Sequence, residues 1–191
     1  MDNSTIEYYN QHVKQFVSTT VDVDFKEKQD KFINKLPGKN VLDFGCGSGR
    51  DTKYFLKSGL NVTAIDGSSE MCRAASEYTG ILVRKMLFEE LNEKDCYDGI
   101  WACSSILHLP KFFKMTDALR SNGIMYTSFK YGNFEGERNE RYFTDFTIKT
   151  FSDFIKEVPE IYIEEKWIST DVRPGRNKEK WLNLILRKKD S

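Results

Sequence analysis

From residue 40 onward, short apolar runs alternate with longer amphipathic stretches along the chain. The apolar runs predict buried strands over residues 40–44, 61–65, 81–83, 99–103 and 123–129. The amphipathic stretches repeat their apolar residues with helical spacing and predict helices over residues 51–58, 68–78 and 111–119. Strands that alternate with helices pair in parallel, because each helix returns the chain to the end of the sheet at which the previous strand began.

The two ends of the chain follow other patterns. Helical spacing predicts a first helix over residues 4–18 and a second one between Asp24 and Pro37. Near the carboxyl end, two apolar runs over residues 161–169 and 181–187 predict a pair of strands joined by a loop. We therefore expect a doubly wound, Rossmann-like α/β fold, whose mostly parallel seven-stranded sheet is closed by an antiparallel C-terminal hairpin.

The charge balance and the cysteines narrow the function classes. The 191 residues include 29 Lys and Arg against 29 Asp and Glu, so no global positive field marks a nucleic-acid binder. No apolar run is long enough for a membrane span, so a soluble, cytoplasmic protein is expected. The four cysteines form no CxxC pair and indicate neither a disulfide framework nor a metal site. The length fits a single domain over residues 1–191.

A glycine-rich turn follows the first predicted strand. Gly45, Gly47 and Gly49 leave no Cβ between the backbone and a ligand, so a bulky cofactor can approach the turn closely. Arg50 stands where a dinucleotide-binding fingerprint has its third glycine, and no Lys followed by Ser or Thr completes a phosphate-binding loop. Both phosphate-binding interpretations are therefore weakened.

Two carboxylates refine this prediction. Asp43 lies two residues before the first glycine, where its charge would repel a pyrophosphate but suits an ammonium or a sulfonium. Asp66 lies at the end of the second predicted strand, where a carboxylate can accept hydrogen bonds from both hydroxyls of a ribose. Together the two carboxylates favour a nucleoside that carries a positive charge.

The order of these motifs resembles that of class I S-adenosylmethionine-dependent methyltransferases. The resemblance rests on four segments, which are residues 43–50, 62–66, 97–102 and 119–123. It covers nearly the whole chain from Tyr8 onward. Within the class, residues 45–51 and 141–143 are similar to segments of small bacterial methyltransferases of the tellurite-resistance-like type. The resemblance implies a Rossmann-like core over residues 39–187 and a lid of N-terminal helices over residues 1–36.

The resemblance also implies which residues bind the cofactor. Asp43 and the glycines of the turn would hold the methionine part, Asp66 the ribose, and Gly67 with Met71 one face of the adenine. The segment 86–88 lacks the acidic residue that such enzymes often place there. The full set of implied cofactor-binding residues is Tyr9, Asp43, Gly45, Gly47, Gly49, Arg50, Asp66, Gly67, Met71, Met86, Leu87, Phe88, Cys103 and Ser104.

For the reaction, the resemblance implies methyl transfer to a small molecule, with S-adenosylhomocysteine as product and no metal. His108, Arg141 and Tyr142 are the catalytic candidates, as a base or as groups that place the acceptor, and a capping or core role is an equal alternative for His108. RNA or protein methylation stays open, as does a cofactor-binding partner subunit without catalysis. Neither a membrane nor a nucleic acid is the expected partner, and the sequence specifies neither the acceptor nor the oligomeric state.

Overall fold

The computed structural model describes residues 3–104, 109–138 and 141–190. Nine strands lie within this part of the chain. In chain order they are β1 (Asn40–Phe44), β2 (Asn61–Asp66), β3 (Arg84–Lys85), β4 (Tyr97–Cys103), β5 (Leu119–Lys130), β6 (Glu135–Arg138), β7 (Arg141–Thr144), β8 (Ile161–Thr170) and β9 (Lys180–Lys188).

Seven of these strands form one sheet in the order β3-β2-β1-β4-β5-β9-β8. The strands β1 to β5 pair in parallel, whereas β9 is antiparallel to both β5 and β8. This arrangement confirms the predicted fold class, including the antiparallel hairpin that closes the sheet. The strand order reverses between β1 and β4, and a ligand crevice is expected at the carboxyl ends of these two strands.

The helices connect and cover the strands. Within the described residues they are α1 (Asn3–Gln11), α2 (Val13–Thr20), α3 (Lys26–Ile33), α4 (Arg50–Lys57), α5 (Ser69–Thr79), α6 (Leu109–Ala118) and α7 (Ile148–Phe154). At the start of α5, the Ser68 hydroxyl accepts a hydrogen bond from the Met71 N–H at 3.2 Å. Gly80, with a φ of 82°, ends the same helix. Local capping signals therefore set both ends of α5.

Alternating side chains along the strands divide the core between the two faces of the sheet. On one face, Trp101 of β4 packs against Phe32 of α3, with ring centroids 5.2 Å apart. On the other face, Ile100 lies in one cluster with Phe112 of α6 and Phe151 of α7. Both faces are covered, as expected for strands that read as near-continuous apolar runs.

The N-terminal helix differs from the prediction. The helix expected over residues 4–18 is divided into α1 and α2 at His12, which has a φ of −110° and a ψ of 18°. The His12 Nδ1 atom lies 2.8 Å from the Tyr8 carbonyl oxygen. A local hydrogen bond between a side chain and the backbone competes with the helical pattern, and this explains the bend.

The third strand also differs. The strand expected over residues 81–83 is wrong, because β3 begins at Arg84, which pairs with Ile65 of β2. The Val83 N–H donates to the Ser76 hydroxyl of α5 at 2.9 Å and is therefore not available for the sheet. A side-chain acceptor from the neighbouring helix thus delays the strand.

The polar segment after β5 is folded rather than irregular. Its strands β6 and β7 pair as an antiparallel hairpin apart from the main sheet. Arg138 lies opposite Arg141, and Glu135 lies opposite Thr144. The hairpin follows the carboxyl end of β5, so it lies at the same end of the sheet as the expected crevice.

Candidate functional site

A cavity of about 490 Å³ opens at the carboxyl ends of β1, β2, β4 and β5. The turns after these strands line it, together with residues of α1, α2, the β6–β7 hairpin and the loop between β8 and β9. Pockets for small molecules span roughly 300 to 1,000 Å³. The cavity therefore has the size of a small-molecule site and lies at the reversal of the strand order.

The turn after β1 brings glycine backbone to the cavity. Gly45, Gly47 and Gly49 have φ angles of 84°, 54° and 79°, in the left-handed region that favours glycine. Gly45 and Gly47 line the cavity, whereas Gly49 does not. A Cβ on Gly49 would lie 2.8 Å from the side chain of Thr79 in α5. Gly49 thus serves the close packing of the turn against α5.

Asp66, at the end of β2, lines the cavity and is partly buried. Its Oδ2 atom accepts a hydrogen bond from the Gly47 N–H at 3.0 Å, and its Oδ1 atom accepts one from the Ser68 N–H at 2.9 Å. Burial raises the pKa of Asp66, and these backbone N–H groups oppose the rise. The carboxylate is fixed beside the glycine turn, and each oxygen has a second lone pair for a further donor.

Asp43 is almost fully buried, with 2% of its surface exposed, and it does not line the cavity. Its Oδ2 atom accepts a hydrogen bond from the Thr52 hydroxyl at 2.5 Å. Burial is the main cause and repulsion from Asp51 the second cause that raises the pKa of Asp43 to about 8. Asp43 therefore stands behind the glycine turn, and below about pH 8 it is protonated and carries no charge, in contrast to the charged role that the sequence predicts.

The raised pKa of Asp43 predicts that the protein loses stability as the pH rises. The folded state keeps a proton on Asp43 up to about pH 8, whereas the unfolded chain releases it near pH ~4. The free energy of unfolding should therefore fall across this interval, and it should fall less in Asp43→Asn, which cannot ionise. Melting temperatures of both proteins between about pH 5 and 8.5 check this. Parallel curves for the two proteins would contradict it.

Arg50 and Asp51 begin α4 in the cavity wall. Arg50 donates to both oxygens of the Asp51 carboxylate, at 2.9 Å from Nε and 2.8 Å from Nη2. Gln29 of α3 and Trp101 of β4 donate to the same carboxylate at 2.6 Å and 2.9 Å. The Arg50 charge is thus balanced by Asp51, an acid that the sequence analysis did not assign to the site.

The implied cofactor-binding residues of the segments 67–71 and 86–88 fall into two groups. Met71 and Phe88 are buried and line the cavity. Gly67, Met86 and Leu87 do not line it. The structure therefore places two of these five predicted residues at the cavity surface.

Neither of the two acids that follow segment 86–88 lines the cavity. Glu90 accepts a hydrogen bond from the Leu87 N–H at 2.7 Å and so closes its own turn. Glu89 forms an ion pair with Lys111 at 3.7 Å. Lys111 itself is buried and lines the cavity, although the sequence analysis did not select it.

Cys103 and Ser104 line the cavity at the end of β4. Ser104 has a φ of 58°, in the left-handed region that few residues other than glycine adopt. Its N–H donates to the Ser128 hydroxyl near the end of β5 at 3.1 Å. Backbone strain of this kind clusters at functional sites, which supports the end of β4 as part of the site.

The first two helices cover the glycine turn. Tyr9 of α1 and Phe16 of α2 line the cavity, with ring centroids 5.3 Å apart. A Cβ on Gly47 would lie 3.1 Å from Phe16 Cε1, so α2 rests directly on the turn. The predicted lid also includes α3, but Phe32 of this helix is fully buried in the core. The position of α1 and α2 suits a lid, which stays a prediction.

Of the three catalytic candidates, Tyr142 is the one whose side chain is described. It lines the cavity, and its hydroxyl donates to Glu135 at 3.1 Å. Arg141 begins β7, but its side chain lies outside the described residues, as does the whole of His108. The same hairpin also places Arg138 in the cavity wall.

The loop after β8 reaches the same cavity. Arg173 lines it and donates from Nε to Asp171 at 2.9 Å. Trp181, at the start of β9, also lines the cavity and donates from its indole to the same carboxylate at 3.0 Å. The sequence analysis missed Trp181, because a tryptophan at the start of a strand carries no signal that it faces a ligand site.

In the part of the chain that the structure describes, no group of three His, Cys, Asp or Glu side chains is arranged to hold a metal ion. None of the described helices is both long enough and apolar enough to span a membrane.

A known family matches the part of the chain that carries the glycine turn. Residues 41–123 match the family model described as a methyltransferase domain. The chain is also 30% identical over 110 residues to the ubiquinone biosynthesis O-methyltransferase of Actinobacillus pleuropneumoniae serotype 7. That alignment covers 50% of this chain and 47% of the enzyme, so the chain spans about half the length of this relative.

Solved structures are similar over nearly the whole chain. The 1,6-didemethyltoxoflavin-N1-methyltransferase of Burkholderia thailandensis, with bound 1,6-didemethyltoxoflavin and S-adenosylhomocysteine, has a TM-score of 0.75 at 22% identity and covers 98% of this chain and 87% of its own. The [4+2]-cyclase SpnF has a TM-score of 0.73 at 12% identity and covers 98% of this chain and 96% of its own. At these identities the likeness shows the fold.

The family match and the fold agree with the class predicted from the order of the motifs, whereas the tellurite-resistance-like subtype stays a prediction. Residues 41–123 therefore match a methyltransferase domain, and the fold of the chain is the Rossmann-like α/β fold of solved S-adenosylmethionine-dependent methyltransferases.

Proposed function

We propose that the protein transfers a methyl group from S-adenosylmethionine to a small-molecule acceptor. The observation that carries this proposal is the position of Asp66 beside Gly45 and Gly47 in the wall of one cavity. A carboxylate that can accept from ribose hydroxyls thus stands next to a turn without Cβ atoms. S-adenosylmethionine supplies a methyl group on a sulfonium, which is already activated for displacement. The protein then needs mainly to align the acceptor and exclude water.

The cavity lining supports a direct role for most of the predicted cofactor-binding residues. The residues that line it are Tyr9, Gly45, Gly47, Arg50, Asp66, Met71, Phe88, Cys103 and Ser104. Among the others, Gly49 would act by shaping the glycine turn, and Asp43 by its hydrogen bond with Thr52 behind that turn. Gly67, Met86 and Leu87 would act by fixing the chain between β2 and Phe88.

The surroundings of the cavity support a small acceptor. Tyr142, Phe143 and Trp181 present aromatic side chains from the hairpin and from β9. The methyltransferase from Burkholderia thailandensis was solved with a small heterocycle, 1,6-didemethyltoxoflavin, which suits a cavity of this kind. His108, Arg141 and Tyr142 are the groups that we propose to place the acceptor or remove its proton. A cytoplasmic location stays part of this proposal.

S-adenosylhomocysteine is expected to raise the melting temperature of the protein. A ligand that binds only the folded state stabilises it by about 2.7 kcal/mol at a hundredfold excess over its Kd. For a chain of this size, that corresponds to roughly 5 to 10 °C. NAD is the control, because Arg50 replaces the third glycine of a dinucleotide fingerprint. Equal shifts with both ligands would contradict the cofactor.

Binding alone does not establish methyl transfer, because the cyclase SpnF shares the fold. Formation of S-adenosylhomocysteine from S-adenosylmethionine should therefore be measured with a panel of small phenols and N-heterocycles. Turnover that depends on the acceptor supports the proposal. Tight binding without turnover on any acceptor, including RNA and protein extracts, would instead favour a partner subunit without catalysis.

Activity on a small acceptor is expected to depend only weakly on salt. The charges of the hairpin segment cancel, with three basic and three acidic residues, namely Lys130, Arg138, Arg141, Glu135, Glu137 and Glu140. Such a surface attracts few phosphates. A nucleic-acid substrate with about six to ten phosphate contacts would lose several decades of affinity between roughly 50 and 200 mM salt. A fall of that size in activity would contradict a small acceptor.

A further inference from the structure

The cavity wall contains one buried lysine that makes neither an ion pair nor a hydrogen bond with the described residues. Seven cationic side chains line the cavity among the described residues, namely Lys28, Arg50, Lys111, Lys130, Arg138, Arg173 and Arg176. Six of them form ion pairs with acids. Lys28 forms no ion pair or hydrogen bond with the described part of the chain, although only 8% of its surface is exposed.

An aromatic ring brings a second cation to Lys28. The Lys28 ammonium lies 4.3 Å from the ring centroid of Phe25, and the Arg50 guanidinium lies 4.2 Å from the same centroid. Asp51 pairs with Arg50 and balances one of these two charges. Among the described residues, Lys28 has no acid within ion-pair distance, and the charges of Glu27 and Asp24 act on it only from farther away.

A buried, unpaired ammonium is costly, because the cavity wall replaces water that would solvate it. Consistent with this, burial lowers the pKa of Lys28, and the positive charge of Arg50 lowers this pKa further. Cys103, Glu27 and Asp24 act in the opposite direction and raise it. An anion that enters the cavity would recover the lost interaction. The arrangement therefore suits a ligand with an oxyanion more than it suits the empty protein.

The position of Lys28 shows which end of a ligand it would meet. Cys103, at the end of β4, is among its electrostatic neighbours. Asp66 ends β2, which lies on the opposite side of β1 from β4. A nucleoside with its ribose at Asp66 would therefore extend across the glycine turn toward Lys28. The lysine stands at the far end, where the amino-acid part of the cofactor and the acceptor would meet.

We propose that Lys28, supported by Arg50 across the Phe25 ring, forms an anion-binding subsite that takes a carboxylate at the β4 side of the cavity. This inference rests on the proposed function, because it takes the cavity as the site of both ligands. The carboxylate can come from the methionine part of the cofactor or from an acidic acceptor. One experiment with two arms separates these sources.

The test compares the parent protein with Lys28→Met, which keeps a similar apolar stem and removes the charge. Lys26→Met is the matched control, because Lys26 lies on the same helix with 66% of its side chain exposed and does not line the cavity. Lys28→Gln is a second variant in case the methionine disturbs folding, and the melting temperature of each protein is recorded. Affinities are measured by calorimetry.

The first arm compares S-adenosylhomocysteine with S-adenosyl-3-thiopropylamine, which keeps the ammonium and lacks the carboxylate. If the cofactor supplies the anion, the parent should prefer S-adenosylhomocysteine by roughly tenfold to a hundredfold, as expected for one charge-assisted hydrogen bond. Lys28→Met should lose most of this preference without weaker binding of the amine. Lys26→Met should keep the preference.

The second arm titrates benzoate into protein saturated with S-adenosylhomocysteine. If the acceptor supplies the anion, the parent should bind benzoate at least tenfold more tightly than Lys28→Met, and the nucleoside preference of the first arm should not change. The subsite is overturned if Lys28→Met changes neither the nucleoside preference nor the affinity for benzoate. A parent that does not bind S-adenosylhomocysteine contradicts the proposed function, and titration of benzoate without nucleoside then decides the Lys28 subsite alone.

Discussion

Asp66→Ala is expected to weaken the binding of S-adenosylhomocysteine by about two to four orders of magnitude. The Asp66 carboxylate is held in the cavity wall by the Gly47 and Ser68 N–H groups, so its two oxygens are already oriented before a ligand binds. Each charge-assisted hydrogen bond to a ribose hydroxyl contributes ~1.5 to 3 kcal/mol, and two such bonds give this range. Calorimetric titration of the parent and the variant measures the difference.

Loss of Asp66 also removes acceptors from the Gly47 and Ser68 N–H groups, which could loosen the turn without any role for the ribose. Two nucleosides separate these effects, 5′-methylthioadenosine and its 2′,3′-dideoxy analogue. The parent should discriminate strongly between them, whereas Asp66→Ala should bind both with similar, weak affinity. Parental affinity of Asp66→Ala for S-adenosylhomocysteine, or unchanged discrimination, would show that Asp66 does not hold a ribose.

The main sheet could be predicted because its central strands are buried on both faces. Such strands read as short continuous apolar runs, and the runs at residues 40–44 and 61–65 agree with β1 and β2 within one residue. The glycine turn could be predicted for a similar reason. Its three glycines all adopt left-handed backbone, so the sequence there records a requirement of the backbone itself.

The rest of the site depends on contacts between distant parts of the chain, which leave no periodic signal. The strands of the β6–β7 hairpin have four residues each and carry charges, so no apolar alternation marks them. Lys28 belongs to a charged run, residues 26–31, that reads as a solvated helix face, although the fold buries it against Phe25. Asp51 gains its four donated hydrogen bonds from three different elements.

Gly47→Val is expected to abolish measurable binding of S-adenosylhomocysteine and to lower the melting temperature. Gly47 has a φ of 54°, and non-glycine residues adopt this region at a cost of roughly 1 to 2 kcal/mol. Its Cβ would lie 3.1 Å from Phe16 Cε1, and Phe16 lines the same cavity. The valine methyl groups would therefore fill the space between the glycine turn and α2, where we place the cofactor.

Gly59→Val separates the two effects, because Gly59 ends α4 with a φ of 80° and a Cβ there would meet nothing within 4 Å. Both variants introduce a branched side chain into left-handed backbone, so both should lose stability, and Gly47→Val should lose more because its Cβ also approaches Phe16. Only Gly47→Val adds atoms to the cavity wall, so only Gly47→Val should lose affinity for S-adenosylhomocysteine. Calorimetry on both variants, at a temperature below both melting transitions, makes the comparison. Parental affinity in Gly47→Val would place the cofactor away from this turn, whereas equal losses in the two variants would mean that strain in the backbone, and not the filled cavity, weakens binding.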